Sequence, residues 1–83
     1  MRFTPSKIPR LIGKKGSMIN MIYNQTGSNV VIGQNGRILI HGRTREQEKM
    51  AVKGITKVEN EAHISGLTSR VKEYLRLLKE ENR

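Results

Sequence analysis

"IPRLIGKKGSMI", residues 8–19, decides how the rest of the chain is read. Two lysines stand between two glycines, with apolar residues close on both sides. Gly13 and Gly16 lack the Cβ atoms that would keep another backbone at a distance, so the four residues read as a sharp corner. Before it, Ser6 offers a side-chain acceptor for a helix start, and Pro9 comes early enough that its missing N–H has no intrahelical role. That short helix stops at Gly13. After the corner, Met18, Ile19 and Ile22 have the spacing of a buried stripe, which predicts a second helix over 17–26 terminated by Gly27. A helix that begins at the corner aims its free N–H groups and positive dipole end there, worth ~0.5–1 kcal/mol to a bound anion. Lys14 and Lys15 add mobile positive charge at the same place.

Outward from this segment, "NVVI" (29–32) and "RILI" (37–40) are rich in β-branched residues and separated by "GQNG", which predicts a hairpin. Placing Val30, Ile32, Ile38 and Ile40 on one face requires opposed positions to sum to an even number. Ile32 then faces Ile38, leaving Gln34, Asn35 and Gly36 as the loop, with Gly36 left-handed; a two-residue Asn35-Gly36 turn fails the parity and is rejected. "MRFT" (1–4) reads as a short strand ended by Pro5. "TREQ" (44–47) fits a capping box opening a third helix over 45–64, with Ala51, Ile55, Val58 and Ala62 as its stripe. Gly54 inside it costs ~1 kcal/mol relative to alanine and points to close packing against another backbone. Ser65-Gly66 breaks that helix. A last helix over 68–81 gathers Val71, Tyr74, Leu75 and Leu78 on one face.

All this fits in 83 residues, with 35% hydrophobic and only 4% aromatic residues, so the core is built from aliphatic side chains. At this size roughly 60% of the unfolded chain's surface can be buried, enough for one domain. The absence of cysteine excludes disulfides and thiolate zinc sites, and fits a reducing, cytoplasmic setting. No apolar run approaches the ~20 residues of a membrane span. The net charge of +9 is unevenly distributed. Residues 1–45 hold Arg2, Lys7, Arg10, Lys14, Lys15, Arg37, Arg43 and Arg45 and no acid; the first carboxylate is Glu46. Segregation of this kind is the footprint expected for a polyanionic partner.

The order of corner, helix, "TG", two strands and helix resembles a KH domain, the single-stranded nucleic-acid module whose GXXG loop clamps the backbone of about four nucleotides. Leu11 and Ile12 match the family's apolar pair before the loop, and Ile19 and Ile22 its spaced isoleucines after it. Thr26, Gly27, Ser28, Val30 and Ile32 match the next segment; Ile38, Ile40 and Gly42 match the following strand, and Ala51 and Ile55 the last helix. Two strands after the loop helix, with no helix between them, imply the type I topology. Pro9 and Lys15 stand where many relatives have glycine, and the extra lysine implies stronger phosphate contact. "IPRLIGKKGSMI", "GQNGRI" (33–38) and "EAHISGLTSRV" (61–71) further resemble the KH domains of the RNA-binding cap subunits of archaeal exosomes. In that family a KH domain follows an N-terminal and an OB-fold domain, so the chain is expected to be a fragment or truncated relative.

The expected fold is therefore α+β: a three-stranded antiparallel sheet with three helices on one face, residues 1–66 forming the KH domain, and a C-terminal helical extension over 67–83. The expected function is single-stranded RNA binding as a non-catalytic piece of the cap subunit, with exosome ring subunits as partners of the full-length protein and the isolated domain monomeric. Gly13, Lys14, Lys15, Gly16 and the amides at Ser17 hold the backbone; Arg10 and Arg37 flank the groove. The resemblance adds Ile12, Ile19 and Val31 as apolar groove residues. The chain contains no Asp, its glutamates lie in the helical second half, and His41 and His63 are single, so no enzyme, cofactor or metal site is expected. The competing reading is a protein-interaction module with little RNA binding, resting on Val31 and Leu39 on the outer sheet face.

Overall fold

The computed structural model describes residues 1–81. A 3-10 turn at Pro5–Lys7 leads into α1 (Ile8–Ile12), and the corner connects it to α2 (Ser17–Thr26). Strands β1 (Asn29–Ile32) and β2 (Ile38–His41) follow, then α3 (Arg45–Asn60) and α4 (Leu67–Glu81). The strands pair antiparallel with Val30 opposite Ile40, Val31 opposite Leu39 and Ile32 opposite Ile38, the register that parity requires. Gly36 is left-handed at φ 75°, as expected, and Asn35 joins it at φ 59°.

Of the three expected strands, two are formed in full among the described residues. The sheet has two, and the N-terminal segment reaches β2 by a single bridge, Arg2 to Arg37. Backbone bonds nevertheless hold it: Phe3 N–H donates to Gly36 O at 2.6 Å and Ile38 N–H to Met1 O at 2.7 Å. Pro5 limits further pairing, since it lacks the N–H that a ladder needs. Its neighbour Thr4 turns away to α3, donating its N–H and its hydroxyl to Glu59 Oε2 at 2.6 and 2.8 Å. Ser6 lies exposed within the 3-10 turn and caps nothing, because the chain enters that turn at Thr4.

Side-chain alternation divides the sheet into two faces. Ile38 is buried, and Val30, Ile32 and Ile40 pack partly buried against the helices; Val31 and Leu39 remain 48% and 57% exposed on the other side. The core gathers Phe3, Leu11, Met18, Ile22, Ile38, Ala51, Ile55 and Val58 with Leu67, Val71 and Leu75 of α4. Thr44 caps α3 by accepting the Gln47 N–H at 3.2 Å, while Gln47 Oε1 reaches back to the Arg43 amide at 2.9 Å rather than closing the box on Thr44. Gly54 approaches a side chain, not a backbone: an added Cβ would stand 3.1 Å from Leu75 Cδ2.

Helix α3 ends at Asn60, four residues short of the expected Ile64. Glu61 is clamped there by Lys57 and Arg70, and the Ile64 N–H folds back onto Glu61 O at 2.9 Å. Ala62 is consequently half-buried in a turn instead of lying on the helical stripe. This turn reverses the chain so that α4 packs on α2 and α3. Among the described residues no helix is long and apolar enough to cross a membrane.

Candidate nucleic-acid interface

The corner is built from backbone conformations that ordinary residues avoid. Gly13 has φ 76° and ψ 176°, Lys15 φ 56° and ψ 32°, and Gly16 φ 78° and ψ 13°. Gly13 is required twice over, since a Cβ there would also sit 2.6 Å from the Met18 backbone nitrogen. At Gly16 the nearest atom to an added Cβ is Asn20 Nδ2 at 3.7 Å, so its outer side is open. The Gly13 N–H donates to Pro9 O at 3.0 Å, closing α1, and the Gly16 N–H donates to Gly13 O at 3.3 Å. Lys14 and Lys15 are thus turned outward, both exposed.

The Ser17 amide, expected to hold a ligand, is used within the loop, where it donates to Lys14 O. What Ser17 presents to solvent is its exposed side chain. Ile12 is 38% exposed beside the corner and Ile19 is half-buried against the core. Val31 is separated from them, since it points with Leu39 away from the helices, and the strand residues on the helix side are Val30 and Ile32. Arg37 lies exposed at the start of β2, opposite Arg2. Arg10 faces the α3–α4 turn, where its Nη2 donates to Ile64 O at 2.9 Å.

Two further features were not visible in the sequence. One is the edge of β1 that no other strand pairs among the described residues: β2 lies between β1 and the N-terminal segment, and the Gly33 N–H donates to Arg37 O at 2.8 Å. Alternation along an antiparallel ladder then turns the backbone groups of Val30 and Ile32 outward. The other is a cavity of about 610 Å³ between the corner and the α3–α4 turn, lined by residues of both. His41 and His63 are exposed, and no group of three or more His, Cys, Asp or Glu side chains that could hold a metal occurs among the described residues. The arrangement suits an extended anion: cationic side chains, a close-approach backbone, and an unpaired strand edge with donors and acceptors.

Comparison with known proteins gives this geometry a family. The sequence pattern of the KH domain matches residues 1–57. The exosome complex component Rrp4 of Thermococcus kodakarensis is 56% identical over 72 residues, which is 87% of this chain and 28% of that protein. The same component of Pyrococcus furiosus is 51% identical over 75 residues, 90% of this chain and 28% of the relative. The chain therefore spans little more than a quarter of these relatives. A crystal structure provisionally described as an exosome complex RNA-binding protein superposes with a TM-score of 0.92 at 30% identity, covering 100% of this chain and 47% of its own. Dim2p from Pyrococcus horikoshii shares the fold, with a TM-score of 0.62 at 21% identity over 90% of this chain and 46% of its own. With the family pattern extending through the corner, the hairpin and most of α3, this chain belongs to the KH domain family and is close to the KH domains of archaeal exosome Rrp4 subunits.

Proposed function

We propose that the chain binds single-stranded RNA through the Gly13–Gly16 corner, as the KH portion of a non-catalytic exosome cap subunit. The observation that carries this reading is the corner itself, where two exposed lysines stand on a loop with three positive-φ residues at the start of α2. Two phosphates held by Lys14 and Lys15, with the strand passing over the open side of Gly16, make the central contact. Ile12 and Ile19 give the bases an apolar surface, and the outward backbone groups of Val30 and Ile32 can meet base edges. Ser17 contributes its hydroxyl in place of its amide, and Arg37 adds longer-range attraction at the sheet. In the type I arrangement the segment at Arg2 takes the place of the third strand. Ring subunits of the exosome are the partners of the longer protein, in the cytoplasm, and the domain alone is monomeric.

Binding by charge is sequence-tolerant and salt-dependent. Contact with three or four phosphates gives a log–log salt slope of roughly −2 to −3, at ~0.7 per phosphate for single strands. The test is a titration of short single-stranded RNA against wild type and Lys14→Asp/Lys15→Asp. Loss of binding in the variant with its circular dichroism unchanged is expected; equal affinity would remove the corner from the mechanism. The exposed Val31–Leu39 pair favours a second reading, a protein contact on the outer sheet face. Such a contact would bind an exosome subunit with little salt dependence and would be weakened by Leu39→Asp.

A further inference from the structure

The cavity beside the corner shares Lys14 and Ser17 with the contacts above, but the rest of its lining is not used by them. Its walls come from two regions far apart in sequence, Lys14 and Ser17 at the corner and, beyond α3, His63 and Ser65 of the turn with Thr68 of α4, and Arg10 also lines it. No acidic residue lines it, although the chain's second half holds all seven carboxylates. Lys14, Arg10 and His63 supply nitrogen donors from three separate segments, and the Arg10 guanidinium is fixed by its 2.9 Å bond to Ile64 O. Only one of the five guanidinium N–H donors is needed for that bond. The first turns of α2 and α4 both border the cavity, so both positive dipole ends add to the same field. At about 610 Å³ the space lies within the ~300–1,000 Å³ range that accepts a small ligand, and so holds a nucleotide-sized group.

We infer that this cavity is a second phosphate subsite, into which a single strand longer than about four nucleotides continues after crossing the Gly13–Gly16 corner. The inference rests on the RNA reading proposed above, and Lys14 joins the two sites because it belongs to both. The corner holds the first phosphates, and Arg10 and His63 receive those that follow. A strand confined to the corner never reaches the α3–α4 turn.

Oligouridylates of four and of eight nucleotides, titrated over a range of salt concentrations, test it. Longer strands offer more binding registers, which raises affinity without steepening the salt dependence, so the slope is the informative readout. For wild type, the longer strand should give a slope steeper by ~0.7 for each additional phosphate bound. Thr68→Glu places a carboxylate in the cavity wall and on the first turn of α4, where the helix dipole favours it, so folding is preserved while phosphate is repelled. That variant should bind the short strand as wild type does and lose the extra slope with the long one. His63→Ala removes a hydrogen-bond donor from the wall and should weaken binding of the long strand but not of the short one. Equal slopes for the two lengths in wild type, or an undiminished slope in Thr68→Glu, would overturn the subsite and leave the corner untouched. Failure of wild type to bind the short strand, or unchanged binding of it by Lys14→Asp/Lys15→Asp, would instead overturn the RNA reading and the subsite with it.

Discussion

Lys15 occupies a left-handed conformation, with φ 56° and ψ 32°, that costs an L-residue about 1–2 kcal/mol. Glycine adopts that conformation without steric penalty but loses more entropy on folding, which returns part of the difference. Lys15→Gly should therefore raise stability by about 0.5 kcal/mol while removing a cation from the corner. Urea unfolding would show the gain, and RNA titration should show weaker binding with a salt slope shallower by ~0.7. A variant that lost stability would mean that the lysine side chain supports the loop rather than serving a ligand. A related tension exists at the sheet, where Arg2 and Arg37 face each other across the single bridge. Like charges directly opposite are unfavourable by roughly 0.2–1 kcal/mol, so Arg37→Glu should raise the thermal midpoint at low salt, and added salt should shrink the gain.

At the scale of elements, the hairpin was legible because alternating apolar residues and a glycine-containing loop allow only one register that puts Val30, Ile32, Ile38 and Ile40 together. Helix α2 was legible for a similar reason, its stripe being bounded by Gly16 and Gly27. The end of α3 was not, because Ala62 continues the helical spacing and local pattern cannot show what reverses the chain there. That reversal depends on Arg70, nine residues from Glu61, and on Arg10, which takes the Ile64 carbonyl from 54 residues away. The cavity at the corner was hidden for the same reason. The charges and glycines of the site could be read locally, but not the wall supplied by 62–68 or the use of the Ser17 amide by Lys14 O. The N-terminal segment is held by another distant contact, Thr4 to Glu59. The Glu59 carboxyl lies below its ordinary pKa of 4.5, chiefly because it accepts the Thr4 N–H, then the Thr4 hydroxyl, with Lys7 adding positive charge against the opposing effect of burial. Because the folded value is lowered, the unfolded chain binds more protons, so this contribution is complete above about pH 4.5 and fades as pH falls through the folded value. Glu59→Gln should be less stable than wild type at neutral pH, and the gap measured by urea unfolding should narrow on acidification. A constant gap would mean that Glu59 acts through packing alone.

Over the whole molecule, the family pattern and the core do not coincide. The pattern ends at residue 57, yet Leu67 is 4% exposed, and Val71 and Leu75 are fully buried among residues of the earlier elements. Helix α4 packs against both α2 and α3, and Leu75 fills the space that Gly54 leaves beside α3. We propose on this basis that 1–66 and the extension expected over 67–83, of which 82 and 83 lie outside the described residues, are not separable folding units, although only the first carries the corner. Removing a single buried leucine costs about 2–5 kcal/mol, and a small domain has only about 5–15 kcal/mol of net stability. Truncation after Gly66 removes two buried leucines and a buried valine at once, uncovers the core they share with α2 and α3, and takes Leu67 and Thr68 from the cavity wall. Residues 1–66 alone should therefore lack a cooperative thermal transition and bind apolar dyes. Leu75→Ala in the full chain should unfold in one transition shifted to lower urea, without a separate early melting of α4. A truncated chain that melts cooperatively and still binds a four-nucleotide strand would show the opposite: that α4 covers a core already complete without it.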